Sequence, residues 1–214
     1  MFTAVLWDFG GVILTSPFEA FNHYEAGAGL PRDFIRSVNS TNPHTNAWAR
    51  LERNDISPLE FDDAFAADAR RFGYEVRGSA VLALLAGEIR PRMAAALHTV
   101  KAAGFKTACL TNNVVGGDGE SSSVGRERSA AISAVMERFD VIVESSKVGV
   151  RKPEPRFYEI ACELLGVVPA ECVFLDDLGI NLKPAAAMGM HTIKVVDPDI
   201  ALDHLAKATG LMFT

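Results

Sequence analysis

The chain has 214 residues, of which 49% are hydrophobic and 22% charged, and its formal net charge is -6. This is the composition of an ordinary folded protein, long enough for one large domain or for a core with a smaller domain inserted. Scattered Lys and Arg under a net negative charge exclude a nucleic-acid surface, and no apolar run nears the roughly 20 residues that cross a bilayer.

The opening segment MFTAVLWDFG carries an acid where a signal peptide has a basic stretch, so a cytoplasmic location is expected. Residues 2–7 form a short apolar run of strand length, ending in Asp8 and the turn Phe9-Gly10-Gly11. About a hundred residues separate this run from the next, far more than one crossover helix needs, which predicts an inserted domain over residues 16–88. Its content reads as helical. Ser57, Pro58 and Glu60 form a capping-box start, followed by Phe61, Phe65, Ala69 and Phe72 at helical spacing. Phe18, Phe21, Tyr24 and Trp48 fall in the same insertion and are expected mainly to pack its helices.

Residues 91–103 then predict a helix that opens on proline and stops before Gly104, and residues 105–110 predict a strand ending in Thr111-Asn112-Asn113. Residues 114–128 are rich in Gly and Ser and read as a loop, without the Gly-Lys-Ser/Thr ending of a phosphate-binding glycine loop. A third strand at 141–143 leads through Glu144-Ser145-Ser146 to Lys152-Pro153, and a helix at 154–165 stops at Gly166. A fourth strand at 172–175 ends in Asp176-Asp177, a helix at 180–188 stops at Gly189, and a fifth strand follows at 192–196. Strand and helix in alternation, with strands apolar throughout, specify an α/β fold with a doubly wound parallel sheet. Cys109, Cys162 and Cys172 lie inside apolar stretches and read as reduced core residues. His23, His44, His98, His191 and His204 share no metal-ligand spacing.

In such a sheet the ligand crevice lies outside the carboxyl ends of the strands. Asp8, Thr111, Asn112, Lys152, Asp176 and Asp177 all stand at or just beyond those ends. Three carboxylates about 4 Å apart would repel by roughly 4 kcal/mol per pair at an effective dielectric of 20, so the group needs compensating cations. Lys152 and one hard divalent ion provide them, and all-oxygen ligands with room left for water and phosphate point to magnesium (Mg2+). The expected ligand is a small anionic, phosphorylated substrate, with no nucleic acid or membrane as partner.

The run VLWDFGGVIL, the strand end ACLTNN, the segment SSKVGVRKPEPRFYEIA and the run VFLDDLGINLKPAAAMGM resemble, in that order, the four motifs of the haloacid dehalogenase-like hydrolase superfamily. The last two are especially similar to the N-terminal phosphatase-type domain of bifunctional soluble epoxide hydrolases. The insertion is matched weakly, chiefly around LERNDISPLEF. The resemblance implies a Rossmann-like core formed by residues 1–15 and 89–214, with a helical (C1-type) cap at 16–88. It makes Asp8 the nucleophile that forms an aspartyl-phosphate. Thr111, Asn112 and Lys152 would hold the phosphoryl group, and Lys152 would also orient Asp8. Asp8, the Gly10 carbonyl and Asp177 would bind magnesium, with Asp176 in or beside that set and Asn181 ordering the shell.

One position departs from the pattern. Phosphatases of this superfamily usually carry a second aspartate two residues after the nucleophile as general acid and base, where this chain has Gly10. Such a group typically contributes about 10²- to 10⁴-fold, so a low or specialised phosphatase activity is expected. Two rival readings follow from the same residue. One is a 2-haloacid dehalogenase using Arg32, Arg36 or Arg50 for the substrate carboxylate; the other is a non-catalytic protein that binds a phosphorylated metabolite.

Overall fold

The computed structural model describes residues 1–113 and 123–213. Five parallel strands, β1 (Ala4–Trp7), β2 (Lys106–Thr111), β3 (Val141–Glu144), β4 (Cys172–Asp176) and β5 (His191–Lys194), form one sheet in the order β3-β2-β1-β4-β5. β1 is central because it is the most apolar, buried along its whole length between two layers of helices.

Alternation along β1 divides the core in two. Val5 and Trp7 face the side covered by α6 (Pro91–Ala102), α7 (Ser123–Met136) and α11 (Pro198–Thr209). Ala4 and Leu6 face the side covered by α9 (Pro155–Leu165) and α10 (Gly179–Ala187), and the single-turn α8 (Ser145–Val148) follows β3. Gly104, Gly166 and Gly189, expected as helix stops, all take positive φ at those ends. Of the stretch read as a loop, residues 114–122 lie outside the described residues, whereas α7 begins at Ser123, so residues 123–128 are helical instead. No proline interrupts this stretch, and Gly125 is its one glycine, beside Arg126, Glu127 and Arg128, which favour helix.

The segment after β1 carries five short helices: α1 (Phe18–Gly27), α2 (Phe34–Ser40), α3 (Ala47–Glu52), α4 (Pro58–Arg70) and α5 (Gly78–Leu82). They enclose a separate apolar cluster that includes Phe21, Ile35, Leu51, Phe61 and Phe65, against which Phe18, Tyr24 and Trp48 also pack. The capping box at Ser57 is formed: Glu60 N–H donates to Ser57 Oγ at 3.2 Å, and Ser57 N–H donates to Glu60 Oε2 at 2.8 Å. Phe72 departs from its expected place, because α4 ends at Arg70 and leaves that ring 40% exposed. The chain leaves and re-enters this helical unit through two paired segments. Leu14 bridges Ile89 in antiparallel fashion, Thr15 N–H donates to Glu88 C=O at 2.8 Å, and Arg90 N–H donates to Ile13 C=O at 2.8 Å.

Candidate active site

The sheet itself delivers two of the acids. Strand pairing sets Trp7 against Leu175, and the Asp8 N–H carries the ladder one residue further by donating to the Leu175 carbonyl at 2.8 Å. Asp8 therefore stands beside Asp176 at the carboxyl edge. Both continue the alternation of Leu6 and Phe174, so their side chains emerge on the α9 and α10 side. Lys152 arrives from that side, on the segment between β3 and α9, and its aliphatic stem lies over core residues with Nζ 5.8 Å from the Phe174 ring centre.

The Lys152 ammonium bridges the two acids, 2.8 Å from Asp8 Oδ1 and 2.8 Å from Asp176 Oδ2. Asp8 Oδ1 also accepts the Phe9 N–H at 2.6 Å, whereas Oδ2 has no hydrogen-bond partner among the described residues. Asp176 is held differently. Its Oδ1 accepts from the Leu178 N–H at 2.8 Å, and the Asn181 amide donates to both of its oxygens at 3.1 Å. Asn181 is anchored in turn, since its backbone carbonyl accepts the Tyr158 hydroxyl at 2.7 Å. Protein donors thus reach both Asp176 oxygens, the Lys152 ammonium among them.

Burial drives the charge behaviour of the group. Asp176 and Lys152 are at most 1% exposed and Asp8 is 8% exposed. Burial pushes the Asp8 carboxyl well above its ordinary range against the pull of Lys152, and the Asp176 and Asp177 charges push the same way. Burial, then the Asp176 charge, raises Asp177 to about 6. Burial opposes the Lys152 charge, yet Asp176 and Asp8 overcome it and hold the proton far above the usual lysine range. Oxygens of Asp8, Asp176 and Asp177 lie within 4.8 Å of one another, and one ammonium offsets only one of three negative charges. This all-oxygen, electron-rich donor set, with Asp8 Oδ2 and the Asp177 carboxylate still to be satisfied, fits a hard divalent cation.

Residues 2–189 match the family model for haloacid dehalogenase-like hydrolases. The chain belongs to this family. It is 34% identical, over 98% of its length, to acyl-CoA dehydrogenase family member 10 of Mus musculus, covering 19% of that protein. It is 31% identical, over 97% of its length, to bifunctional epoxide hydrolase 2 of Sus scrofa, covering 39% of that protein. The chain therefore spans well under half the length of these curated relatives. Among solved structures it resembles the L-2-haloacid dehalogenase of Xanthobacter autotrophicus with chloropropionic acid covalently bound, with a TM-score of 0.61 and 20% identity over 99% of this chain and 85% of that one.

The turn that follows Asp8 accounts for its two glycines separately. Gly10 has ordinary extended angles (φ -69°, ψ 131°), and a Cβ there would meet nothing within 4 Å. Gly11 has φ +79°, and a Cβ there would overlap the Asp177 carboxylate. The conformational demand falls on Gly11, where the sequence offered only a Gly-Gly pair.

Thr111 closes β2 at the same edge and is 8% exposed. Asn112 is more committed than expected: its Oδ1 accepts the Lys152 N–H at 2.9 Å and its Nδ2 donates to the Lys152 carbonyl at 3.0 Å. Its amide clamps the lysine segment, so its backbone, not its side chain, is what remains for an oxyanion. Two residues that sequence reasoning missed complete the surroundings. Glu52, at the end of α3, is buried and ion-paired with Arg151, the residue before Lys152. Burial raises the Glu52 carboxyl, against the Arg151 charge. An acid between Arg50 and Arg53 was the available signal, but nothing local linked it to Arg151. The five histidines are exposed and take no part, and the three cysteines are buried and free. No helix among the described residues is long and apolar enough to cross a membrane.

Proposed function

We propose that this hydrolase is a magnesium-dependent phosphatase that cleaves a small phosphate monoester through an aspartyl-phosphate at Asp8. The observation that carries the reading is the Lys152 ammonium held 2.8 Å from both Asp8 and Asp176, with one Asp8 oxygen left unbonded beside Asp177. Asp8 Oδ2 attacks phosphorus and the ester oxygen departs; water then attacks the same phosphorus, releasing phosphate and regenerating Asp8. Lys152 donates to a phosphoryl oxygen in both steps, and Thr111 with the Asn112 backbone adds donors. Asp8, the Gly10 carbonyl and Asp177 would hold magnesium, which supplies positive charge to the phosphoryl oxygens when bound. Asp176 and Asn181 order the set from behind.

Gly10 brings no carboxyl to the leaving oxygen, so its proton comes from water and turnover is low. In this reading residues 16–88 are the cap over the site, and residues 1–15 with 89–214 are the catalytic core. The metal-free dehalogenase alternative is the weaker one. It leaves three carboxylates in need of a cation, and Arg36, one of its candidate carboxylate binders, pairs with Asp33 at 3.2 Å and lies 4.2 Å over the Phe18 ring. A panel of phosphate esters and 2-haloacids, with and without magnesium, tests the proposal. Magnesium-dependent phosphate release supports it, halide release without metal replaces it with the dehalogenase, and turnover of neither class leaves a binding protein.

A further inference from the structure

Beyond the groups that would meet substrate, the seam between the helical unit and the sheet holds a polar assembly that stability alone does not explain. Arg151 Nη1 donates to the Pro43 carbonyl at 2.9 Å, Nη2 pairs with Glu52, and Nε has no acceptor among the described residues. The Glu52 and Arg151 side chains are only 7% and 12% exposed. Asn112 Nδ2 lies 3.5 Å from Glu52 Oε2 and also donates to the Lys152 carbonyl, while Asn112 Oδ1 accepts the Lys152 N–H, so the amide grips both backbone groups of the lysine. The helical side of the seam is itself stiff. Asn46 caps α3 through the Ala49 N–H at 2.8 Å, while its amide donates to the Asn39 and Thr41 carbonyls at 2.7 and 2.9 Å, fixing the loop that contains Pro43.

We propose that Glu52 and Arg151 are a positioning pair: with the helical unit seated, they hold the Asn112–Lys152 segment so that the Lys152 ammonium sits between Asp8 and Asp176. The proposal rests on the phosphatase reading for its catalytic consequence. A buried ion pair is commonly no more stabilising than a well-packed apolar pair, so its value lies in geometry. Two contacts from α3 and its preceding loop converge on the residue next to Lys152, and a third reaches the amide that clamps it. Both contacts come from the helical unit, so without them the guanidinium retains no partner from that side. The lysine segment would then relax, so full assembly of the site depends on the contacts that Glu52 and the Pro43 carbonyl make with Arg151. Arg53, which pairs with Glu154 at 3.6 Å and donates to the His44 carbonyl at 2.8 Å, braces the same seam nearer the surface.

The test compares the whole chain with Glu52→Gln, Arg151→Met and the double variant Glu52→Leu/Arg151→Met, which removes both charges and is expected to fold even where one single variant does not. On an aryl phosphate with magnesium, each variant should lose about 2- to 160-fold in kcat, the span of coupling between residues in one network. KM should move far less, and the double variant should be no worse than the poorer single one. Deuterium uptake over residues 150–154 should quicken in every variant. Parent-like kcat and parent-like uptake in the folded double variant would overturn the proposal. If the parent hydrolyses no phosphate ester, the phosphatase reading falls, and uptake over 150–154 alone decides: faster in the variants supports the positioning pair, unchanged refutes it.

Discussion

Replacing Asp177 by Asn removes one carboxylate from the acidic cluster while keeping its shape, and the structure sets the size of the effect. Burial and the Asp176 charge raise the Asp177 carboxyl from 3.8 to about 6. That rise makes the ionised form about 3 kcal/mol less favourable in the folded chain than in the unfolded one. The sign follows from proton counting. Between pH 3.8 and about 6 the folded state holds a proton that the unfolded state releases, so metal-free stability falls as pH rises through this window, and the full cost is present above it. At pH about 7.5 in EDTA, Asp177→Asn should therefore be more stable than the parent by up to about 3 kcal/mol. At about 2 to 4 °C per kcal/mol for a chain of this size, that is about 6 to 12 °C in Tm. Magnesium should close the gap from the other side, since a ligand at 100 times its Kd adds about 2.7 kcal/mol to the folded state. Calorimetry at pH about 5 and about 7.5, in EDTA and in magnesium, reads all of this. The parent should lose stability with pH in EDTA and regain it with magnesium, whereas the variant should be flatter in both. Equal Tm values for parent and variant in EDTA at the higher pH, or an undiminished magnesium response in the variant, would refute the reasoning.

Asp8→Asn should abolish phosphate release, and beryllium fluoride, a mimic of a phosphoryl group on a carboxylate, should raise the Tm of the parent and not of this variant; retained turnover would end the covalent mechanism. Gly10→Asp should fold, because the position has ordinary backbone angles and open space, and should raise aryl phosphate turnover by up to about 10²- to 10⁴-fold. No increase in a folded, magnesium-responsive variant would mean that proton transfer does not limit the rate. Gly11→Ala should do the opposite of a mild change: positive φ alone costs about 1 to 3 kcal/mol, and the added methyl displaces Asp177, so both Tm and its magnesium response should fall. An unaltered magnesium response there would separate Asp177 from the metal.

The order of the core elements could be read along the chain because each of its signals is local. Apolar runs bounded by Gly104, Gly166 and Gly189 mark strands and helix ends through backbone conformation, and the capping box at Ser57 needs only four adjacent residues. The signals of α11 are equally local, since Asp197, Pro198 and Gly210 form its cap, first turn and stop. Asp8, Lys152, Asp176 and Asp177 could be named because a parallel sheet puts all its strand ends on one edge.

What only the tertiary structure decided are the relations across that edge. Alternation and register turned Asp8 and Asp176 to the same side, and the Asn181 amide and Leu178 N–H then filled the Asp176 oxygens, directing this acid to Lys152. Gly10 and Gly11 are indistinguishable as letters, and only the approach of Asp177, 166 positions further along the chain from Gly11, shows which of them must lack a side chain. Glu52 and Arg151 lie 99 positions apart and share no motif, so their pairing exists only once the helical unit is seated against the sheet. Local sequence carries backbone preference and periodicity over a few residues, whereas charge, close contact and burial act through space between segments that folding alone brings together.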